Sequence, residues 1–508
     1  MTRLTWPARL GPALGPGLLM FTISLVGAGH PVLSWDEIAT ADVASRTPAQ
    51  IWQTMHLIDG VFGPYYLLEH FWTSMVGSTE LDLRLPSMVA MAGAVALAGE
   101  LGRRFFGPLT GAVAGILLCL MPSTSQYAAE ARPYAFACFF ALLSLLLLHV
   151  AVDRFRVRRW VAYGFTVLFL GLAHVIALTT LAAHLVVILR HRDRRTVLAW
   201  SLAAGLALLA LTPIFWLGVL QRHAQLSWVP PLDVGGLWNF PGVVVGSVPG
   251  GWLLLGLALV AVWRPIRHLD EVIVLALAPI VVVAAMSMLI SPYWVPRYLL
   301  IVLAPLATLA AIGLLPPAPS PAPASGAPAP EPAAGRPGRR VLALRVATAL
   351  ALLAFAVHPA ERAVRGVDAK SGSDYRTAAS IIEQEQQPGD AIAFTARSRA
   401  MRSGLEYYLR QDPRQPRDVF LARSAAVIGR LEAQEYRPTA ARLRTVARLW
   451  LLVFGTYKDP LTVRPDLCPI VLAHYRRARI WYLHRETLAL FVRLTGTTPA
   501  VPVVNATR

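Results

Sequence analysis

The chain has 508 residues, 56% of them hydrophobic and only 15% charged, with a mean hydropathy of +0.52. A water-soluble protein carries roughly 25% charged residues, so this composition excludes an ordinary soluble domain and implies a chain held mostly in a bilayer. The net charge of +18 would suit nucleic acid, but arginines gather in alternate connections between apolar runs, the positive-inside pattern of a membrane protein.

The first apolar run, from about Leu10 to Val26, shows no small-residue cleavage site and is followed by many others, so it reads as a span rather than a leader. Behind it the stretch His30-Pro-Val-Leu-Ser-Trp-Asp-Glu carries Asp36 and Glu37 to the membrane surface, where retained acids usually do work. From Gly29 to Leu83 there are seven acids and one base, Arg46, which places this loop outside the cytoplasm. Within it, Pro48–Leu57 and Phe62–Met75 carry Trp52, Tyr65, Tyr66, Phe71 and Trp72 and read as helices lying at the membrane interface.

The remaining apolar runs give spans at about 84–102, 107–121, 134–152, 159–173, 174–190, 197–217, 248–263, 271–290, 298–315 and 341–357. With the first run this makes about 11 transmembrane helices, an odd number, so a cytoplasmic N-terminus requires an extracytoplasmic C-terminal segment. The pair within 159–190 is divided only by a short turn near Gly171-Leu-Ala-His174. Basic clusters at Arg103 and Arg104, at Arg154 to Arg159, at Arg190 to Arg195, at Arg264 and Arg267, and at Arg336 to Arg340 mark the cytoplasmic connections. Cys119, Cys138 and Cys468 match no metal spacing and no disulfide framework.

Three further external segments carry polar groups. Glu130-Ala-Arg132-Pro-Tyr134, with Tyr127 upstream, lies one turn from the span at 134–152; it reads either as a phosphate- or cation-handling site or as an internal Glu–Arg pair. Gln221 to Pro231 adds Arg222, His223 and Trp228. Ser291 to Tyr298 sets Arg297 and Tyr298 where a lipid phosphate would sit; a snorkelling arginine is the alternative. Lone histidines such as His149 and His184 read as satisfied helix residues. No Walker A, HExxH or dinucleotide pattern is present, so no nucleotide is expected.

The Pro/Ala-rich stretch at 316–340 reads as a cytoplasmic linker, followed by a last span at 341–358. From 359 to 508 the composition turns mixed, with 24 bases and 14 acids after Pro359. Helix at Tyr375–Gln386 and Leu405–Arg410, and strand at Ala391–Phe394, Leu449–Phe454, Ile480–Leu483 and Thr487–Phe491, predict a small extracytoplasmic α/β domain.

Taken in order, the acid pair after the first span, the interfacial helices, Glu-Ala-Arg-Pro-Tyr, Pro-Arg-Tyr-Leu-Leu and the external tail resemble the polytopic glycosyltransferases of the GT-C superfamily. The bacterial members related to protein O-mannosyltransferases and to the lipid A aminoarabinose transferase are the most similar. The resemblance covers most of residues 1–315 as a transmembrane catalytic module, and more loosely Asp374 to Asp390. It implies transfer, with inversion, of a sugar such as mannose or an arabinose-like pentose from a polyprenyl-phosphate carrier. The acceptor would be a hydroxyl on a cell-envelope glycan, lipid or protein at the outer face of the plasma membrane. Carried over by position, Asp36 is the general base with Glu37 beside it and Glu130 the acid of the second loop. Arg132 and Arg297, with Tyr134, Tyr298, Arg222 and His223, would face the carrier phosphate. A divalent cation, Mg or Mn, would sit at Asp36 and Glu130. The luminal repeat domain of the protein O-mannosyltransferases is missing, which leaves the acceptor open. The competing reading is a transporter or flippase of lipid-linked sugars; charge-poor spans and acids gathered on one face disfavour it.

Overall fold

Proline and glycine decide where the apolar helices break. The computed structural model describes residues 6–191, 193–316, 338–367, 369, 372–396 and 398–494, with side chains from residue 11 on. Most of the 316–340 stretch therefore lies outside the described residues. Pro108–Cys119 meets Pro122–Ala128 at 71°, Arg194–Ala210 meets Thr212–Leu226 at 49°, and Val234–Val245 meets Val248–Val262 at 94°. In each pair the second helix has proline in its first turn, at Pro122, Pro213 and Pro249. Proline lacks the N–H that a preceding helix would need, and its ring blocks the helix from running on. At the sharpest corner Gly246 takes φ 85°, and a Cβ there would meet Ser123 Oγ at 2.8 Å. Ser247 then caps the next helix, accepting from Gly250 N at 3.3 Å.

These corners bear on the number of crossings. Among the described residues five helices are long and apolar enough to cross a membrane, or up to eight if each bent pair is one span. Gly11–Leu25 and Val175–His191 are shorter apolar helices. A helix lies over each of the eleven expected segments, but several are too short or too bent to count as simple crossings.

The chain divides into two compact units. The first holds the chain up to Ala28 and Arg84–Val364; the second holds Gly29–Leu83 and the chain from Arg365 on. In the first unit small residues bring helices close: at Gly313 in Leu303–Leu314, a Cβ would run into the Leu257 carbonyl of Val248–Val262. Basic side chains close helix ends. Arg264 donates to the carbonyls of Ile312, Gly313 and Leu315, the last turn of Leu303–Leu314. Arg103 and Arg104 both pair with Glu100. Ser125 Oγ donates to the Glu361 carboxylate at 2.7 Å, joining Pro122–Ala128 to Arg339–Ala363. The two ends of this hydrogen bond therefore lie on one side of any membrane the helices cross.

The second unit joins the first loop to the chain's last third. The loop supplies helices Trp35–Ala44, Pro48–Leu57 and Gly63–Val76. The later segment supplies Tyr375–Glu385 and Arg399–Leu409 and seven strands: β1 Ala391–Phe394, β2 Arg417–Asp418, β3 Leu421–Arg423, β4 Gln434–Glu435, β5 Arg448–Phe454, β6 Tyr475–Leu483 and β7 Glu486–Arg493. The main sheet runs β2-β1-β5-β7-β6, with β1 parallel to β2 and β5 and the other pairs antiparallel. Strand β5 reads Arg-Leu-Trp-Leu-Leu-Val-Phe, apolar on both faces, because helix packs on it and it lies at the sheet's centre. Hydrogen bonds tie the two segments. Leu33 N donates to Tyr408 OH at 3.1 Å, and Arg46 reaches the Arg430 carbonyl at 2.8 Å. Arg376 holds the Gly29 and His30 carbonyls and both oxygens of Glu80.

Candidate functional site

The acid pair opens helix Trp35–Ala44. Ser34 is its N-cap: Ser34 Oγ accepts from Glu37 N at 3.2 Å, and Glu37 Oε2 accepts from Ser34 N at 3.0 Å. This reciprocal box satisfies two backbone donors that a helix start otherwise leaves open. Glu37 is fully buried, so its visible work is to cap the helix, whereas Asp36 is half-buried in the same first turn. The turn is braced from the later segment, where the Trp35 ring meets Phe454 edge-on at 4.8 Å. Of the loop aromatics, Tyr65 and Tyr66 are buried, with Tyr66 OH donating to Asp59 at 2.8 Å, and the Trp72 indole donates to the Asp82 carbonyl. Trp52, Leu68, Phe71 and Met75 remain exposed, an apolar face suited to an interface.

Within the first unit, four expected residues converge on one aromatic cradle. Tyr134, buried at the start of Tyr134–Asp153, meets Tyr127 at 5.6 Å, His174 at 5.7 Å and Tyr298 at 6.3 Å between ring centres. His174 and Tyr298 lie 4.8 Å apart. The Arg297 guanidinium sits 5.2 Å from the Trp228 ring and 5.9 Å from that of Tyr298. The charges of Arg132 and Arg297 both bear on the His174 ring. Ser87 Oγ holds the Arg132 carbonyl at 3.0 Å, and Glu130 is buried two residues before it. Two guanidinium groups among aromatic rings form a place where an anion with an apolar tail can be received.

Among the described residues, Arg222 and His223 make no contact with this cradle. They lie on helix Thr212–Leu226, where Arg222 Nε approaches His223 Nε2 at 3.5 Å and His223 is exposed. The helix runs through what reads as a loop, and it is Trp228, just past its end, that reaches Arg297.

The side chains that come together with metal-ligand spacing are His149, His268 and Glu271, whose ligand atoms lie within 4.8 Å of one another. Neither Asp36 nor Glu130 belongs to this group. Arg190 already pairs with the Glu271 carboxylate, which offsets the charge a cation would need. His149 is thus a hydrogen-bonded helix residue, as is His184, whose Nδ1 meets Tyr163 OH at 2.9 Å.

Two residues escaped sequence reasoning. His174 stands at the break between Val157–Ala173 and Val175–Thr180, and its Nδ1 is buried with no hydrogen bond among the described residues. An imidazole inside an otherwise apolar stretch was its signal. Glu69 is fully buried on Gly63–Val76, and burial pushes its carboxyl up to about 8, with Tyr65 pulling the other way. A buried acid in an aromatic helix is a marker of functional regions as well as of strain.

With this geometry in view, the likenesses to known proteins become informative. A family model described as dolichyl-phosphate-mannose-protein mannosyltransferase matches residues 62–217. The crystal structure of ArnT from Cupriavidus metallidurans in the apo state superposes with a TM-score of 0.56 at 13% identity, covering 92% of this chain and 96% of ArnT. The same protein bound to undecaprenyl phosphate gives 0.57 at 13% identity, covering 94% and 98%. The fold is that of ArnT. The arabinofuranosyltransferase AftD from Mycobacteria gives 0.50 at 16% identity, covering 96% of this chain but 40% of AftD. Among curated protein sequences none matches. At these identities the structures speak for the fold alone. The multi-pass architecture and the α/β portion agree with what the sequence led one to expect.

Proposed function

We propose that the protein is a membrane glycosyltransferase that moves a sugar from a polyprenyl-phosphate carrier to an acceptor hydroxyl outside the cytoplasm. The observation that carries this reading is the shared fold over nearly the full length of ArnT, a protein that has been captured with undecaprenyl phosphate. The arginine-bearing aromatic cradle, which suits a lipid phosphate, supports it independently.

The residue types fit the chemistry. An acceptor hydroxyl is a weak nucleophile, so a carboxylate must take its proton as the new bond forms. Asp36 is the residue proposed for that role, because Glu37 is committed to the Ser34 cap. The departing phosphate is a weak base and needs no proton; it needs positive charge as its bond to the sugar breaks. Arg132 and Arg297 are proposed to supply it, Tyr134, Tyr298 and His174 to flank the carrier head. Inversion follows from a single displacement. Mg or Mn would serve by the same electrostatic route, with Glu130 among the acids able to approach it. The exposed face of Trp52, Leu68, Phe71 and Met75 would rest in the lipid headgroups. In this reading the N-terminus is cytoplasmic and the unit holding Asp36 faces outward across the plasma membrane.

The test is transfer in proteoliposomes supplied with polyprenyl-phosphate sugar. Asp36→Asn should lower turnover by about a hundredfold or more while carrier affinity stays near wild type. Turnover by that variant within a few-fold of wild type would remove Asp36 from the role. Movement of carrier across the bilayer without any transfer would replace the enzyme reading with a transporter.

A further inference from the structure

A cavity of about 430 Å³ lies wholly within the second unit, between helices Trp35–Ala44, Gly63–Val76 and Arg399–Leu409. Its lining includes Asp42, His70, Thr73, Ser74, Glu406 and Arg410. No role has been given to it above, and its chemistry is one-sided.

The polar groups that face it are spent as donors and retain acceptor capacity. Thr73 Oγ1 donates to the Glu69 carbonyl at 2.7 Å, and Ser74 Oγ to the Phe71 carbonyl at 2.8 Å, so the hydroxyl oxygens keep their lone pairs. His70 Nδ1 lies 2.9 Å from the Ala44 carbonyl and must carry the proton there, which leaves Nε2 an acceptor in the neutral ring. Carboxylate oxygens of Asp42 and Glu406 add to the set. Arg410, the cation in the lining, gives one N–H each to the Tyr407 and Ser78 carbonyls, and its guanidinium is held 3.9 Å from the centre of the Tyr407 ring. A phosphate, which brings acceptors, would find few donors.

Charge excludes the opposite ligand. Asp42 is ion-paired with buried Arg46 at 2.8 Å. Glu406 is exposed at the rim, its carboxylate shares the lining with the Arg410 guanidinium, and Arg402 also bears on it. With Arg410 present, little net negative charge remains to hold a polyamine or a metal ion. What remains is a neutral ligand rich in O–H donors, in a volume within the range of small-molecule sites.

We propose that this cavity binds a neutral sugar residue. If the glycosyltransferase reading holds, that residue belongs to a glycan acceptor. Asp36 and Asp42 share helix Trp35–Ala44 and stand six residues apart, roughly 9 Å along its axis. An acceptor chain seated at the Asp42 end would have to extend by a further sugar to come near Asp36, so the cavity selects an oligosaccharide over a monosaccharide.

The experiment is saturation-transfer NMR on the full-length protein in lipid nanodiscs, with mannobiose, arabinobiose, inorganic phosphate and spermidine as separate probes. A saturable signal is expected from at least one disaccharide and from neither ion. Ser74→Trp, at an exposed position, should fill the cavity, and Glu406→Ala should remove an acceptor. Each should weaken binding about tenfold or more, one charged or well-placed hydrogen bond being worth that factor. Asp36→Asn should leave disaccharide binding intact. Absence of disaccharide binding, binding untouched by both cavity variants, or phosphate or spermidine binding that Ser74→Trp abolishes would each overturn the proposal. Disaccharide binding that persists in a protein with no transferase activity would leave the cavity standing and defeat the enzyme reading alone.

Discussion

Glu69 gives the sharpest pH test. Its carboxyl is fully buried on Gly63–Val76, and burial raises it from 4.5 to about 8. A raised acid in the folded state binds its proton where the unfolded chain has already lost it. Stability of the second unit is therefore greatest below about pH 4.5 as far as Glu69 is concerned, falls as pH climbs toward 8, and levels off above. At about 1.4 kcal/mol per unit of displacement, the full penalty approaches 5 kcal/mol, and partial hydration of the charged form reduces it to about 3–5 kcal/mol. Glu69→Gln keeps the shape and removes the ionisation. Thermal unfolding in nanodiscs, followed at pH 6 and pH 9, should show the variant gaining on wild type as pH rises. Infrared difference spectra should show a protonated carboxyl band near neutral pH that Glu69→Gln deletes. A wild type and variant with parallel stability across that range, and no such band, would show that Glu69 is charged and served by partners or water, and the burial argument would fail.

Other consequences can be checked by simpler measurements. Arg402 is buried between Asp418 and Glu435, at 2.6 Å from each, so Arg402→Met should strand Asp418, leave Glu435 to Arg464, and cost about 3–5 kcal/mol of stability, read by denaturant unfolding of the full chain. Ser34→Ala should cost about 0.5–2 kcal/mol through the lost cap, while Glu37→Gln, which can still complete the box, should unfold close to wild type and retain transfer; inactivity of a stable Glu37→Gln would give Glu37 a chemical role. Arg297→Ala should weaken carrier binding about ten- to a hundredfold, as loss of a charged hydrogen bond does, with little change in stability; unchanged affinity would return Arg297 to a snorkelling side chain.

Local patterns made much of the fold legible. Ala391–Phe394 and Leu449–Phe454 are apolar runs bounded by turns, and both are strands in the main sheet. The helix expected from Tyr375 starts there behind an Asp374 cap, whereas the one expected from Leu405 starts at Arg399 behind Ser398, a cap the hydropathy did not reveal. Corners were harder, because hydropathy averages across them: Leu211–Pro213 and Gly246–Pro249 break runs whose composition stays apolar. The cradle was half legible. Arg132, Tyr134, Arg297 and Tyr298 announce themselves as polar groups at span ends, whereas His174 becomes meaningful only once Tyr134 and Tyr298 are seen against it. Arg222 and His223 carry the same composition signal and illustrate its limit, since helical continuation through Leu226 leaves Trp228 as the side chain that meets Arg297. Pairings between distant segments, such as Arg376 with Glu80, have no local trace at all.

The Leu33 to Tyr408 hydrogen bond joins residues 375 positions apart, and Arg46 reaches across 384 to Arg430. During synthesis the acid-bearing loop is made well before its braces, which follow it by 375 and 384 residues. The loop must therefore wait unpaired until the segment from Arg365 on has been made. A chain cut short at Val364 would hold the helices of the first unit and still leave Asp36 without its scaffold, so synthesis of the Arg365 segment is the step that completes the acid-bearing loop.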